Sequence, residues 1–284
     1  MAENLNPNNQ PGIEIKPMKE QKKIHGEFFV TVAVILLLFE AYVFFCLTIP
    51  PTSLNNIIID LFYLIIFGMV FWSYIIVIRT PAGSIPLYWG FYIGDDDEKR
   101  KRYCLICNAF KPERSKHCSI CNTCVLNMDH HCPWVNNCIG FFNRKYFMQF
   151  IFYLEILFIY HFIFSSVYLY NEFQIVVNSK GTNYVGFILI AINYIPTVVI
   201  TFLFGKFVIY HIKLVMINSS TIESLDQENK EKYKKFCLSY KENFEQVFGK
   251  NRLFWLLPIN IEQAKPVGDG LLWKVNEQQP QPQH

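Results

Sequence analysis

Seven of the nine cysteines in this 284-residue chain lie in one short stretch, between Cys104 and Cys138. His117, His130 and His131 are interleaved with them. Thiolate sulfur and imidazole nitrogen are ligands that zinc prefers in proteins. If the stretch is cytosolic, disulfides are not expected there. The pattern then predicts zinc ligation.

The spacing of these residues repeats. One set follows the pattern C-x2-C-x9-H-x6-C, and a second set follows the same pattern 14 residues later. Each set offers four ligands, as a closed structural zinc site requires. The sets are Cys104, Cys107, His117 and Cys124, and Cys118, Cys121, His131 and Cys138. The alternative is a sequential pairing, in which the first four cysteines share one site. The repeat favours the interleaved pairing.

Two candidate ligands are left over, Cys132 and His130. Cys132 stands where a third repeat begins, but the later positions of that repeat carry no metal ligands. Asp129 precedes the spare histidine. A thiol, an imidazole and a carboxylate predict nucleophilic catalysis, in which histidine takes the thiol proton and aspartate orients the histidine. The alternative is a spare thiol beside a surface histidine.

Long apolar blocks flank this stretch. The chain is 52% hydrophobic and 17% aromatic, and its apolar residues are concentrated rather than spread periodically. A helix needs roughly 20 such residues to span a bilayer. Four blocks are long enough, approximately 28–49, 57–78, 146–170 and 185–210. The sequence predicts an all-α membrane protein with four transmembrane helices and a two-zinc domain of short hairpins and loops between helices 2 and 3.

The basic residues predict the orientation of these helices. Lys16, Lys19, Lys22 and Lys23 precede the first block, and many more lie at 79–145 and after the fourth block. The two short loops carry only Lys180. The positive-inside rule then places both termini and the central loop in the cytosol. The net charge of +3 gives no indication of nucleic-acid binding.

Five regions follow from these patterns, and we expect the first 27 residues and the terminal segment 278–284 to be disordered. They are a cytosolic tail (1–27), helices 1 and 2 (28–78), a cytosolic loop (79–145) with its zinc-binding core at 104–143, helices 3 and 4 (146–210), and a cytosolic C-terminal region (211–284).

Three acids lie within the predicted spans: Glu40, Asp60 and Glu155. Ionisable groups inside a membrane are costly and are often functional. Asp60 is near the end of a span and can reach the interface. For Glu40 and Glu155, we weigh a structural polar contact inside the bundle against a functional role. A proton-coupled transporter is therefore a minor alternative.

The central loop resembles the DHHC family of protein S-acyltransferases. The signature is Asp129-His130-His131-Cys132-Pro133-Trp134. Further matches are Lys111-Pro112-Glu113-Arg114, His117-Cys118, Asn137-Cys138-Ile139-Gly140 and Asn143. The resemblance is dense over about 45 residues, and the four-span layout is also similar to the family.

Weaker marks of the family lie outside this loop. Thr80-Pro81-Ala82-Gly83 is similar to a motif after the second span, although Thr80 replaces an acid and Ala82 is inserted. Ser220-Thr221-Ile222-Glu223 resembles a Thr-Thr-x-Glu motif after the fourth span. Phe236, Asn243 and Val247-Phe248-Gly249 resemble a C-terminal motif in which Ser239 replaces a usual glycine.

The resemblance implies a two-step transfer of a long-chain acyl group, such as palmitoyl, from acyl-CoA. Cys132 would carry the acyl group, His130 would act as the general base, Asp129 would orient it, and two zinc ions would be structural. The acceptor would be a cysteine of a cytosolic or peripheral membrane protein. The acyl chain would enter a cavity among the spans. Trp134 would lie either at the mouth of this cavity or at the membrane interface as an anchor.

The remaining expectations concern charge, location and the main alternative. Five basic residues either attract CoA phosphates or form a solvated or lipid-headgroup-facing surface: Lys111, Arg114, Lys116, Arg144 and Lys145. We expect a multi-pass protein of the Golgi, endoplasmic reticulum or plasma membrane. The alternative to an enzyme is a membrane-anchored double-zinc scaffold, which needs eight ligands but neither Cys132 nor His130.

Overall fold

The structure is a computed structural model that describes residues 24–48, 53–87, 89–90, 102–178 and 184–276. Most of the predicted N-terminal tail and the last eight residues lie outside this part of the chain. So do the four N-terminal lysines and Lys180, which contributed to the predicted orientation.

Four long helices confirm the predicted architecture. They are α1 (Ile24–Val43), α2 (Leu54–Arg79), α3 (Arg144–Asn178) and α4 (Tyr184–Met216). A π-helical turn, Phe44–Thr48, continues α1. Each helix contains a stretch long and apolar enough to cross a membrane. This chain is therefore a membrane protein with four spans.

Helices α3 and α4 run beyond the predicted apolar blocks. Helix α3 begins two residues earlier and continues eight residues further, while α4 continues to Met216. The predicted apolar blocks end where polar residues begin in the sequence. A helix can nevertheless continue beyond that point when its polar side chains bind other parts of the protein. Arg144 and Lys145, in the first turn of α3, are both buried in this way.

Aromatic side chains pack the helices together. Helix α3 lies against both α2 and α4. The rings of Phe44 and Tyr63 stack with centroids 4.0 Å apart. Nearer the zinc domain, Tyr74 of α2 packs on Phe150 of α3 at 4.9 Å. Such offset contacts contribute beyond the apolar area that they bury.

The three intramembrane acids differ in their surroundings. The carboxylate of Glu40 contacts Nδ1 of His161 of α3, which is fully buried. Glu155 faces Gly205 of α4, and its Oε2 atom has no hydrogen-bond partner among the described residues. Asp60 is also buried. The structure thus gives Glu40 a polar contact inside the bundle, one of the two interpretations of the sequence.

Three antiparallel hairpins lie between α2 and α3. The first pairs β1 (Tyr103–Cys104) with β2 (Ala109–Phe110). The second pairs β3 (Lys116–Cys118) with β4 (Thr123–Val125). The third pairs β5 (His130–Cys132) with β6 (Asn137–Ile139), and a 3-10 turn, Pro133–Val135, lies in its loop.

The 14-residue repeat is visible in the turns of these hairpins. Asn108, Asn122 and Asn136 are spaced by 14 residues, and each has a positive φ, between 46° and 51°. Asparagine tolerates this left-handed conformation better than most residues. The third repeat, which lacks a full set of metal ligands, is therefore complete as a hairpin.

Side-chain amides from the third hairpin and from the turn that follows it cap the end of α2. The side chain of Asn137 donates to the carbonyls of Val77, Ile78 and Thr80 at 3.1, 3.3 and 2.9 Å. Asn143 donates to the same Thr80 carbonyl at 3.1 Å. These bonds satisfy carbonyls that the last turn of a helix leaves free. They fix the zinc domain on the bundle.

Three short helices follow α4, namely α5 (Thr221–Leu225), α6 (Lys230–Lys234) and α7 (Tyr240–Phe248). Capping boxes begin α5 and α7, with Ser220 paired to Glu223 and Ser239 paired to Glu242. Ser239, which replaces a glycine of the motif that this segment resembles, thus serves as a helix cap. Two 3-10 turns, Arg252–Phe254 and Glu262–Ala264, complete the described C-terminal region.

Candidate active site and metal centres

The zinc domain contains two groups of three cysteines and one histidine. In each group the four possible ligand atoms lie within 4.8 Å of one another. The groups are Cys104, Cys107, His117 and Cys124, and Cys118, Cys121, His131 and Cys138. The structure thus brings together the interleaved sets rather than the sequential pairs.

The spacing of these atoms fits zinc. In the first group, Nδ1 of His117 lies 3.2, 3.7 and 3.8 Å from the sulfur atoms of Cys107, Cys104 and Cys124. In the second, Nδ1 of His131 lies 3.4 to 3.8 Å from its three sulfurs. Tetrahedral coordination at ordinary Zn–S and Zn–N lengths separates such atoms by about 3.6 Å. Both groups could hold a metal ion, which is consistent with two zinc sites.

Strand alternation separates the two adjacent histidines. Successive side chains of a strand point to opposite faces. His131 of β5 lies opposite Cys138 of β6 in the hairpin register and faces its metal group. His130 and Cys132 share the other face, where Cys132 joins the apolar core formed with the membrane helices. One strand therefore presents a metal ligand on one face and a thiol–imidazole pair on the other.

The thiol, the imidazole and the carboxylate form a connected chain. Asp129 Oδ2 lies 2.7 Å from Nδ1 of His130. Since Asp129 occupies Nδ1, the Nε2 atom remains available to accept a proton. The Cys132 thiol, on the same face of β5, interacts electrostatically with the His130 side chain. The arrangement of nucleophile, base and orienting acid is the one that covalent catalysis uses.

Electrostatics favour a charged imidazole beside a charged carboxylate. Burial alone lowers the pKa of His130, but the hydrogen bond to Asp129 and the interaction with Cys132 outweigh it and raise the pKa to about 9. Burial alone raises the pKa of Asp129, yet the Arg144 guanidinium and the bond to His130 hold that pKa well below its usual range. The site thus stabilises the imidazolium that forms when histidine takes a proton.

Two further residues hold Asp129, and the sequence did not assign them this role. Thr221, at the start of α5, donates its backbone N–H to Oδ1 and its hydroxyl to Oδ2, both at 2.9 Å. The Arg144 guanidinium lies 3.5 Å from Oδ1. Asp129 is 1% exposed, so its charge depends on these partners. The sequence offered one signal for Thr221, the resemblance of residues 220–223 to a family motif. That resemblance did not show which residue the motif contacts.

The same segment supplies a buried ion pair. Arg114 donates from Nε and Nη2 to the two carboxylate oxygens of Glu223, at 2.7 Å each. Its Nη1 and Nη2 atoms donate to the side chain and backbone of Asn218. The guanidinium also lies over the rings of Phe236 and Trp273, at 4.8 and 4.3 Å. Arg114 thereby ties the zinc domain to the segment after α4.

This burial corrects the interpretation of the basic residues as a surface for CoA phosphates. Arg114 is committed to Glu223, and Arg144 donates to the Ser219 carbonyl. Lys145 is 1% exposed and donates to the Ala264 carbonyl at 3.1 Å. All three are structural here, so both the phosphate and the solvated-surface interpretations are wrong for them. The sequence could not separate them from Lys111 and Lys116, which remain half-buried.

An apolar cavity of about 530 Å³ opens among α1, α3 and α4. Trp134, two residues from Cys132, lines it, and Phe29 of α1 packs on the Trp134 ring at 5.4 Å. Tyr74 of α2 donates to the Trp134 carbonyl at 2.7 Å and fixes the turn. Glu40 lies in the wall of the cavity. The cavity has space for an extended apolar chain inside the bundle.

His211 of α4 is a further residue near the site. Its ring lies 6.0 Å from that of His130, and Phe147 packs edge-on against both. His211 is buried. Together these rings form the wall on which the His130 imidazole rests. A histidine in an apolar span gave no sequence signal, because nothing in the chain near it indicates which element it faces.

Comparison with known proteins agrees with this geometry. A family model described as DHHC palmitoyltransferase matches residues 97–228. Probable protein S-acyltransferase 14 of Arabidopsis thaliana is 32% identical over 234 residues, which cover 74% of this chain and 75% of that protein. Probable protein S-acyltransferase 13 of the same plant is 30% identical, with 75% and 76% covered.

Relatives from other lineages are also similar. Palmitoyltransferase PFA4 of Mycosarcoma maydis is 34% identical over 243 residues, which are 72% of this chain but half of that longer protein. The repeated cysteine–histidine pattern, the four spans and the Asp129–His130–Cys132 arrangement all agree with these matches. This chain belongs to the DHHC palmitoyltransferase family of protein S-acyltransferases.

Proposed function

We propose that this protein S-palmitoyltransferase carries the acyl group on the Cys132 thiol. One observation supports the assignment above all others. Cys132 and His130 share a face of β5, His130 is held by Asp129, and His131 points to the opposite face with the metal group. The nucleophile is thus separated from the metal ligands although it is adjacent to one of them.

In the first step, the sulfur of Cys132 attacks the carbonyl carbon of the acyl-CoA thioester. The thiol proton passes to Nε2 of His130 before the attack, because the raised pKa of His130 favours the imidazolium, and Asp129 stabilises that charge. The tetrahedral intermediate collapses, the bond to the CoA sulfur breaks, and His130 returns the proton to that sulfur. The products are free CoA and a thioester on Cys132.

In the second step, a cysteine thiol of the acceptor protein attacks the thioester on Cys132. His130 takes the incoming proton and returns it to the Cys132 sulfur as that bond breaks. One thioester replaces another in each step, so acyl-CoA is the sole energy source. The acceptors we propose are cytosolic or peripheral membrane proteins whose cysteines reach the bilayer surface.

The acyl chain, in this account, occupies the cavity lined by Trp134. The cavity is lined almost wholly by apolar side chains of the spans, and Trp134, two residues from Cys132, is part of its wall. Burial of a chain contributes about 0.8 kcal/mol per methylene group. A long-chain substrate can therefore be held by its tail while the CoA head remains outside the bundle.

The eight residues of the two metal groups are the proposed zinc ligands. When bound, zinc supplies structure rather than reactivity, since four protein ligands leave no open coordination position. Each group joins two hairpins: the first draws Cys104 and Cys107 toward His117 and Cys124, and the second does the same 14 residues later. Metal binding then contributes to the folding free energy of the domain.

We also propose the orientation and the division of the chain. The zinc domain, both termini and the C-terminal region from residue 211 face the cytosol, as the distribution of lysine and arginine indicates. Cytosolic thiols stay reduced, which suits both the metal groups and the nucleophile. The membrane is the Golgi, the endoplasmic reticulum or the plasma membrane, and we propose no nucleic-acid partner.

Single-turnover labelling tests this function. Purified protein is mixed with radiolabelled palmitoyl-CoA, and bound label is measured before and after hydroxylamine, which cleaves thioesters. Wild type and Cys237→Ser, which removes a half-buried cysteine outside the metal groups, should take up hydroxylamine-labile label. Cys132→Ser should take up none. Label that persists in Cys132→Ser would leave the scaffold alternative, or another acyl carrier, as the better account.

A further inference from the structure

A second apolar cavity lies at the end of the bundle that carries the zinc domain. It measures about 380 Å³ and is enclosed by the first turns of α3, the last turns of α4 and the segment 244–256. Met148, Val208, Ile212 and Trp255 are among its lining residues. It shares no residue with the cavity that contains Trp134, so the transfer mechanism leaves it without a role.

The outer wall of this cavity is held in place by side chains of α3. Tyr146 donates to the Ile259 carbonyl at 3.1 Å, Gln149 to the Trp255 carbonyl at 2.9 Å, and Tyr153 to the Leu256 carbonyl at 2.5 Å. These bonds align a stretch of otherwise irregular backbone along the helix. The cavity is therefore part of the folded structure and is not a gap between loosely packed elements.

The interior retains one unsatisfied polar atom. Gln149 lines the cavity and is 3% exposed, and its Oε1 atom has no hydrogen-bond partner in the part of the chain that the structure describes. A buried carbonyl oxygen without a partner is costly. A lipid whose headgroup carries an N–H or O–H donor, as phosphatidylserine does, can offset that cost by donating to Oε1 of Gln149.

The rim carries positive charge beside exposed apolar side chains. Arg252 lines the cavity, and its guanidinium lies 5.6 Å from the centre of the Trp255 ring. No carboxylate of the described residues forms an ion pair with it. Leu253 and Leu256 on either side are 78% and 61% exposed. An unpaired guanidinium between exposed leucines suits the boundary between lipid headgroups and acyl chains.

We propose that this cavity is a binding site for an anionic glycerophospholipid of the surrounding leaflet. An acyl chain fills the apolar interior, and the phosphate and its acidic headgroup pair with Arg252. The cavity is too small for a protein helix. It also shares no residue with the cavity that contains Trp134, to which we assign the transferred acyl chain. The bound lipid would join α7 to α3 and α4.

Lipid retention by the full chain tests the proposal. The protein is purified in detergent, incubated with phosphatidylserine or with phosphatidylcholine, and examined by native mass spectrometry. No acyl-CoA is present, so the result is independent of the transfer function proposed above. Wild type and the control Lys232→Glu, which changes an exposed cation away from the cavity, should retain phosphatidylserine in preference to phosphatidylcholine.

Two variants separate the charge from the cavity. Arg252→Glu should reduce phosphatidylserine retention about thirtyfold, because the substitution changes the charge beside the lipid phosphate from +1 to −1. Ile212→Trp, which fills the interior, should reduce retention of both lipids. Equal retention by Arg252→Glu and Lys232→Glu, full retention by Ile212→Trp, or no lipid on the wild type would each overturn the proposal.

Discussion

Thr221 and Asp129 are 92 residues apart in sequence, yet Thr221 donates two hydrogen bonds, from its amide and its hydroxyl, to the two carboxylate oxygens of Asp129. The carboxylate is almost fully buried, and its other partners are His130 and Arg144. The segment after α4 therefore completes the site that the zinc domain begins. The orientation of the proposed general base depends on both parts of the chain.

The first prediction concerns this contact. Thr221→Val keeps the amide bond to Asp129 but removes the hydroxyl donor, while Thr221→Ser keeps both. Since a hydrogen bond to a charged group contributes about 2 kcal/mol, Thr221→Val should slow acyl-enzyme formation about tenfold or more. Thr221→Ser should stay near wild type. Rapid-quench labelling measures the rates; equal rates for the two variants would show that the hydroxyl does not matter.

The second prediction concerns the buried pair of Arg114 and Glu223. Removing one partner leaves a buried charge unpaired, at a cost of about 3 kcal/mol or more in unfolding free energy. We expect Arg114→Ala to lower the melting temperature of the purified protein clearly, whereas Lys116→Ala, two residues away and half-buried, should change it little. Comparable melting temperatures for both variants would contradict a structural role for Arg114.

The same pair predicts a dependence on pH. Burial alone raises the pKa of Glu223, but the Arg114 guanidinium and hydrogen bonds outweigh it, so the pKa lies below the ordinary 4.5. The ionised carboxylate then stabilises the fold at neutral pH, and this contribution is lost as the pH falls through 4.5 toward the folded-state pKa. Denaturation of wild type and Glu223→Gln should differ most near neutrality and converge in acid; a gap that widens in acid would contradict the sign.

The third prediction concerns the metal content. Two groups of four ligands imply about two zinc ions per chain. Cys132→Ala should retain both ions, because this side chain faces away from the metal groups, while His131→Ala should lose or weaken one. Elemental analysis after gel filtration measures the ratio. Loss of an ion from Cys132→Ala would mean that the separation of thiol and ligands along β5 is wrong.

The fourth prediction concerns the contact between α1 and the turn of the third hairpin. A methyl group added at Gly26 would lie 1.8 Å from the side-chain oxygen of Asn136. Gly26→Ala should therefore displace α1 near Trp134 and reduce labelling. Asn136→Gly removes the obstructing side chain and tolerates the positive φ at this position, so the double variant should recover activity. If the double variant instead loses as much labelling as the two single variants together, residues 26 and 136 are not in direct contact.

Much of the site could be predicted from the sequence because its chemistry is local. The 14-residue repeat assigned eight residues to two groups, and the structure gathers those groups. Cys132 occupies the repeat position of Cys104 and Cys118, and it ends its strand as they do. Strand alternation turns His131 and Cys132 to opposite faces. The spacing of the ligands alone does not show that His131 and Cys132 face opposite ways. This becomes clear only when residues 130–132 are known to form a strand.

The remaining parts of the site were not predictable because they depend on distant contacts. No local pattern indicates that Thr221 lies beside Asp129, or that His211 packs near His130. Charge was misleading for Arg114, Arg144 and Lys145, since a basic residue in a loop or at a helix end is usually exposed. Their burial depends on carboxylates and carbonyls supplied by the C-terminal region, whose position only the tertiary structure gives.

The most direct test of the central claim is to locate the acyl group. Purified wild-type protein is incubated with palmitoyl-CoA, digested under conditions that preserve thioesters, and mapped by mass spectrometry. We predict a palmitoyl thioester on the peptide that contains Cys132, absent in Cys132→Ser and retained in Cys237→Ser. A thioester found instead on Cys46 or Cys237, with Cys132 unmodified, would contradict the account.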